Sequence, residues 1–281
     1  VWRTERRRIA IKKRLPTIIL ALVFLVGAGL LLYPTVSDLW NSYRQSLLVA
    51  AYTDQVAALD EEDYEALLAD AKAYNESLVG TTTPHDLSDE EAKLYNSLLD
   101  ITGNGIMGYI EIDKIDCKLP IYHTTEEEVM QLGAGHMEGT SLPIGGENTH
   151  SVICAHRGLP SSKLFTDLDQ MEEGDTFVIH VLNETLTYEV DQILVVDPDD
   201  SSALAIEEGK DLCTLYTCTP YGVNTHRLLV RGHRVPNAAE SVETEDATVV
   251  KPIMVTLVIA IVSLIFVAIV ISAMFIRRKK Q

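Results

Sequence analysis

Apolar and polar positions alternate along this chain in three different ways. At residues 17–33 and 253–276 the apolar residues run on without a charge, the second run broken only by Thr256, Ser263 and Ser272. A bilayer core of ~30 Å takes about 20 residues of helix, so 253–276 predicts a transmembrane helix and 17–33 a shorter one, or a signal anchor. From residue 38 to about 78, Leu39, Tyr43, Leu47, Val56, Leu59, Leu67, Ala71 and Tyr74 recur at three- and four-residue spacings, the period of an amphipathic helix. Asp60, Glu61, Glu62 and Asp63 then sit on its solvated face or in a break between two helices. Residues 80–89, with Thr81, Thr82, Thr83, Pro84 and His85, read as a loop, and 90–99 as a short helix.

After Gly103, Gly105 and Gly108 the pattern changes to short β-rich runs at 108–112, 118–122, 151–155, 176–181, 185–196, 212–218 and 226–235. Gly, Asn, Asp or Pro bound most of them. Many short strands at irregular spacing predict a mainly β domain, a closed or semi-closed barrel rather than a doubly wound sheet. The expected organisation is a basic N-terminus (1–14), a transmembrane helix or signal anchor (15–34), a helical and lid-like segment (35–105), a β-barrel (106–236), an acidic linker (237–251), a second transmembrane helix (252–276) and a basic tail (277–281).

Charge orients this plan. The 281 residues carry 23 Lys+Arg against 41 Asp+Glu, a formal −18. Arg3, Arg6, Arg7, Arg8, Lys12, Lys13 and Arg14 precede the first apolar run, and Arg277, Arg278, Lys279 and Lys280 follow the second. Basic flanks stay in the cytoplasm, so both ends are expected inside. The 12 remaining basic and 40 acidic residues then lie outside, where the formal charge is −28. Such acidity excludes a nucleic-acid partner, which needs clustered Lys and Arg. Four cysteines without a CxxC or a Cys/His ladder argue against a zinc site or a disulfide scaffold. No metal or organic cofactor is expected; the acidic runs at 126–128 and 197–200 read as solvated charge.

A cysteine nucleophile needs a base or cation beside it and a group that holds an oxyanion. Cys117, Cys154 and Cys213 occupy apolar strand positions, where a free thiol is a small core hydrophobe. Cys218 ends its strand and precedes Thr219-Pro220-Tyr221-Gly222, a turn that exposes a side chain. A strand–turn–strand unit returns Arg227 beside it, a permanent cation with a fork of N–H donors. Among eight histidines His156 is best placed, at the end of an apolar strand and ahead of the loop Arg157-Gly158-Leu159-Pro160. His136 and His150 read as structural hydrogen-bonding residues.

The stretch Thr214-Leu215-Tyr216-Thr217-Cys218 matches the TLxTC signature of sortases, the cysteine transpeptidases of Gram-positive cell surfaces. Its continuation, Thr219-Pro220-Tyr221-Gly222-Val223-Asn224-Thr225-His226-Arg227-Leu228, resembles the class C, pilus-assembling branch. So do Gly139-Thr140-Ser141-Leu142-Pro143, Gly145-Gly146-Glu147-Asn148-Thr149-His150-Ser151, and Ala155-His156-Arg157-Gly158-Leu159-Pro160 leading into Lys163-Leu164-Phe165-Thr166-Asp167-Leu168. The likeness spans about residues 107–235. It implies an eight-stranded β-barrel with an N-terminal helical segment, flanked by the two transmembrane helices. It also implies Cys218 as nucleophile, His156 as acid/base, Arg227 as oxyanion and substrate support, and Thr217 as a contributor to the oxyanion site. The partners implied are secreted pilins or surface proteins with LPXTG-like sorting signals, the acceptor being a pilin lysine. The alternatives are attachment to peptidoglycan, as in housekeeping sortases, or a catalytically silent membrane-tethered scaffold. Class C enzymes usually carry a lid with an Asp-Pro-aromatic motif. Here the loop reads Thr83-Pro84-His85-Asp86-Leu87-Ser88, so Asp86 and Leu87 are the lid candidates and the lid is expected to be degenerate.

Overall fold

The computed structural model describes residues 2–81 and 84–237, together with Ser263; apart from that serine, the expected linker and second transmembrane helix lie outside the described residues. The chain divides into two compact units, one of residues 1–40 and 245–281 and the other of Asn41–Thr244. Its N-terminal periodicity resolves into α1 (Trp2–Ala57), α2 (Glu61–Leu78) and α3 (Asp89–Ser97). In the first unit α1 carries the basic residues of its start and then an apolar stretch. Ile19–Ala57 contains an 18-residue window of mean hydropathy 2.3, long and apolar enough to cross a membrane, and Leu20, Val23 and Leu31 are exposed.

In the second unit, the acidic run at 60–63 proves to be a helix start. Asp60 caps α2 by accepting from the Asp63 N–H (2.9 Å), and Glu61, Glu62 and Asp63 fill the first turn. There the unpaired N–H groups and the positive end of the helix dipole favour carboxylates. α3 opens on a capping box, with the Ser88 side chain accepting from Glu91 N–H and the Glu91 carboxylate accepting from Ser88 N–H.

The strands are β1 (Ile106–Ile112) and β2 (Cys117–Tyr122), then, after the short helix α4 (Glu127–Met130), β3 (Ala134–His136), β4 (Thr149–Cys154), β5 (Thr176–Val181), β6 (Glu184–Val196), β7 (Asp211–Thr219) and β8 (His226–Val235). They close into an eight-stranded barrel in the order β1-β2-β3-β4-β7-β8-β6-β5. The sequence pattern anticipates seven of them. β3 escapes it because three residues are too few to show alternation, and this strand forms only by pairing parallel to β2 and antiparallel to β4. The β4–β7 pair is also parallel.

Alternation along the strands sorts two apolar layers. Ile153, Ala155, Cys213, Leu215, Leu228 and Val230 belong to the main core, with Phe177, Ile179 and Tyr188. The intervening residues Val152, Cys154 and Leu229 form a second cluster with Leu204, against which Leu194, Val196, Tyr216, Met130 and Met137 pack. β4 is therefore buried at every position, its polar first half (Thr149, His150 and Ser151) as well as Val152, Ile153 and Cys154.

Polar ties hold the helices and loops to the barrel. Asn75 on α2 bonds Leu142 twice, donating to its carbonyl (3.1 Å) and accepting from its N–H (2.7 Å). The Tyr52 hydroxyl donates to the Met107 carbonyl and accepts from Leu182 N–H. His136 and His150 take the structural roles expected of them. His136 Nε2 donates to the Ser141 carbonyl (2.8 Å), so Nδ1 accepts from the Tyr95 hydroxyl (2.9 Å). The ring nitrogens of His150 meet the Ala205 carbonyl (2.9 Å) and Thr214 Oγ1 (2.7 Å).

Candidate active site

The strand–turn–strand unit forms as its residues dictate. β7 and β8 pair antiparallel with Cys218 directly opposite Arg227 and Thr219 opposite His226. Directly opposed residues project on the same face with Cβ atoms about 5 Å apart. Thiol and guanidinium thus share the outer face of the barrel wall, at its β7–β8 end. Arg227 Nη1 donates to the carbonyls of Asn224 (3.3 Å) and His226 (3.2 Å). These anchors spread the cation over the strand end instead of releasing it to solvent. Cys218 is a half-buried free thiol, whereas Cys117, Cys154 and Cys213 are buried. Burial pushes those three thiols up, away from thiolate formation.

His156 arrives from the other side of β7. In the parallel β4–β7 pair Cys154 is level with Tyr216, and Ala155 N–H donates to the Tyr216 carbonyl (3.2 Å). One residue further on, His156 leaves the ladder on the face that carries Cys154, Tyr216 and Cys218. Its backbone carbonyl accepts from Phe165 N–H (3.1 Å). The next residue, Arg157, has a nearly buried side chain that ties the two strand ends together. Nε donates to the Thr166 carbonyl and Nη1 to Thr219 Oγ1, both at 3.1 Å, while Nη2 pairs with Asp169. One guanidinium therefore links the neighbour of His156 to the neighbour of Cys218.

The Sortase domain family matches residues 110–235. Sortase D of Bacillus subtilis is 30% identical over 151 residues, which cover 53% of this chain and 73% of that protein. The chain belongs to the sortase family. Sortase C1 from Streptococcus agalactiae is a similar solved structure, at 54% identity and a TM-score of 0.67 over 68% of this chain and 99% of its own. Clostridium perfringens sortase C, solved with the C-terminal cell wall sorting motif, is 44% identical with a TM-score of 0.61, over 68% of this chain and 100% of its own. The class C resemblance carried by the motifs is thereby matched in three dimensions.

Three of the site residues expected in this sortase, Thr217, Asp86 and Leu87, are placed differently from the rest. Thr217 alternates to the other face of β7; it is buried, and its hydroxyl donates to the Ala155 carbonyl (2.7 Å). That proton is committed to locking β7 against the residue before His156, so the hydroxyl as placed is a strut and not an oxyanion donor. Asp86 is exposed, and among the described residues no ion pair joins it to Arg227. Leu87 packs on the main core and not on the outer cluster of Cys154 and Tyr216. The loop is instead seated on Gly139, where an added Cβ would lie 2.2 Å from the His85 carbonyl oxygen; Gly139 has φ +72°. Glycine there meets both demands, close approach and left-handed backbone.

Sequence reasoning missed the apolar floor beside the thiol: Leu194, Val196, Leu204, Leu229 and Tyr216. A signal exists for Tyr216, two residues before Cys218 and so on its face of the strand. For Leu204, carried on the 197–210 loop, there is none. Arg231 pins that loop, binding Asp191 through Nε (2.9 Å) and Nη2 (3.1 Å) and Glu207 through Nη1 (2.8 Å).

Proposed function

We propose that this sortase is a membrane-anchored transpeptidase that cleaves an LPXTG-like sorting signal and joins the new carboxyl end to a pilin lysine. The Cys218 thiolate attacks the threonine carbonyl carbon, and the resulting oxyanion is held by the Arg227 fork. The intermediate collapses as His156 gives a proton to the departing glycine amine, leaving a thioester on Cys218. A lysine amine then attacks the thioester, His156 takes its proton, and the thiolate leaves with an isopeptide bond formed. The apolar floor running from Cys154 to Val196 suits an extended, largely apolar signal. Arg157 and Thr217 hold the two strand ends that carry the acid/base and the nucleophile.

The observation that carries this reading is the Cys218–Arg227 cross-strand pair, with His156 leaving the adjacent strand on the same face. Incubating the chain with an LPXTG-type peptide should yield a thioester adduct on Cys218, absent from Cys218→Ala. No adduct across several signal variants would favour the silent scaffold. A second reading concerns only the acceptor. Sortase A of Staphylococcus aureus is 32% identical over 124 residues, and peptidoglycan amines would resolve the same thioester. A competition between a lysine-bearing peptide and an oligoglycine amine decides, with the lysine product expected.

The apolar stretch of α1 would anchor the chain, with the catalytic unit outside the cytoplasm and both termini inside. A two-pass topology is tested by protease protection of tags at either end.

A further inference from the structure

One of the carboxylates at 126–128 is not simply solvated. Glu127 is the first residue of α4, and its two carboxylate oxygens face different ways. Oε1 accepts from Gln131 Nε2 (2.8 Å), one helical turn along. Oε2 lies 3.5 Å from His156 Nε2. That ring nitrogen is shielded from solvent and has no hydrogen-bond partner of its own. Gln131 thus fixes the carboxylate, and the free oxygen faces a shielded ring nitrogen that has no hydrogen-bond partner.

We propose that Glu127 is a positioning residue for His156, orienting the ring by drawing Nε2–H towards its carboxylate and favouring the imidazolium. A catalytic base held by a third group is a recurring solution, because it selects both tautomer and ring angle. The Glu127 carboxyl sits below the usual carboxylate range, through the Gln131 hydrogen bond first and the facing histidine second. Other charged groups face the histidine region less directly. Glu126 and Glu128 flank Glu127 and are exposed, and Glu138 interacts with Glu126. Arg157 is turned away towards Asp169. Cys218 and Arg227 share the histidine's face from β7 and β8.

The catalytic consequence rests on the transpeptidase reading, but the pairing itself does not, so the test has two arms. In the full chain in detergent, carbethoxylation of His156 by diethyl pyrocarbonate is followed against pH by peptide mapping. The reagent takes the neutral ring, so Glu127→Gln should move the midpoint down by about half a pH unit, the scale of an exposed charge pair. Glu128→Gln, with no contact to the ring, should leave it in place. In the second arm the acid limb of kcat/KM for an LPXTG-type peptide should move down equally, with the plateau reduced about threefold as the thiolate–imidazolium population falls. An unmoved carbethoxylation midpoint in Glu127→Gln, or an equal shift in Glu128→Gln, overturns the proposal even where activity falls. A shifted midpoint with no turnover by the wild-type chain upholds the pairing and sinks the transpeptidase reading instead.

Discussion

Arg227 does its work at the scale of a few ångströms, where charge and shape separate. Replacing it with lysine keeps the charge opposite Cys218 but loses the planar fork. Arg227→Lys should therefore lower kcat/KM by about 100-fold, the cost of losing an oxyanion donor, with peptide affinity changed far less. Steady-state assays separate the two, and an equal loss in binding would remove the oxyanion role. His136 gives a second prediction at this scale. Burial holds its ring neutral and brings its pKa down to about 4. A group depressed on folding contributes its stability above the unfolded value of about 6.5 and loses it as pH falls towards the folded one. By pH 4 the loss should reach about 3 kcal/mol, visible as a falling Tm between pH 6.5 and 4. A flat Tm over that range would show that His136 is not protonated on unfolding.

Elements bring these residues within reach, and their ends matter more than their middles. Cys218 and His156 sit at the ends of β7 and β4, and Arg157 braces those two ends through Thr219, Thr166 and Asp169. Arg157→Met should cost about 2 kcal/mol of stability, as a nearly buried charged donor leaves its acceptors. It should also lower kcat more than it raises KM, because the ends drift while the apolar floor stays. A thermal melt paired with steady-state kinetics reads both. The helical periods were legible here, but their caps came from the structure: Asp60 and its acidic neighbours begin α2, and Ser88 with Glu91 begins α3. What stayed hidden was β3, whose three residues carry no period. The motif names Thr217 beside the nucleophile, whereas a strand turns successive side chains to opposite faces, so its hydroxyl bond to Ala155 was hidden.

At the scale of the catalytic unit, the closed barrel leaves the thiol on its outer face, beside a floor that an incoming peptide can cover. The loop at 84–88 is seated on Gly139 through the His85 backbone. Deleting residues 80–89 should change thiol labelling of Cys218 only slightly if the lid holds the site weakly, and labelling of the intact and shortened chains measures this. Unchanged rates would remove the lid idea altogether. If the reaction needs a thiolate and an imidazolium together, kcat/KM should follow a bell-shaped curve against pH. A profile without an acid limb counts against an imidazolium in the active form. The sequence by itself determined the apolar stretch, the helical periods, the alternation of seven strands and the order of the motifs, because each depends on residues a few positions apart. Only the tertiary structure decided which face of β7 each motif residue occupies, which distant loop floors the site, and that Glu127 meets His156. Those contacts join segments tens of residues apart, and strand register and barrel closure set them, not local spacing.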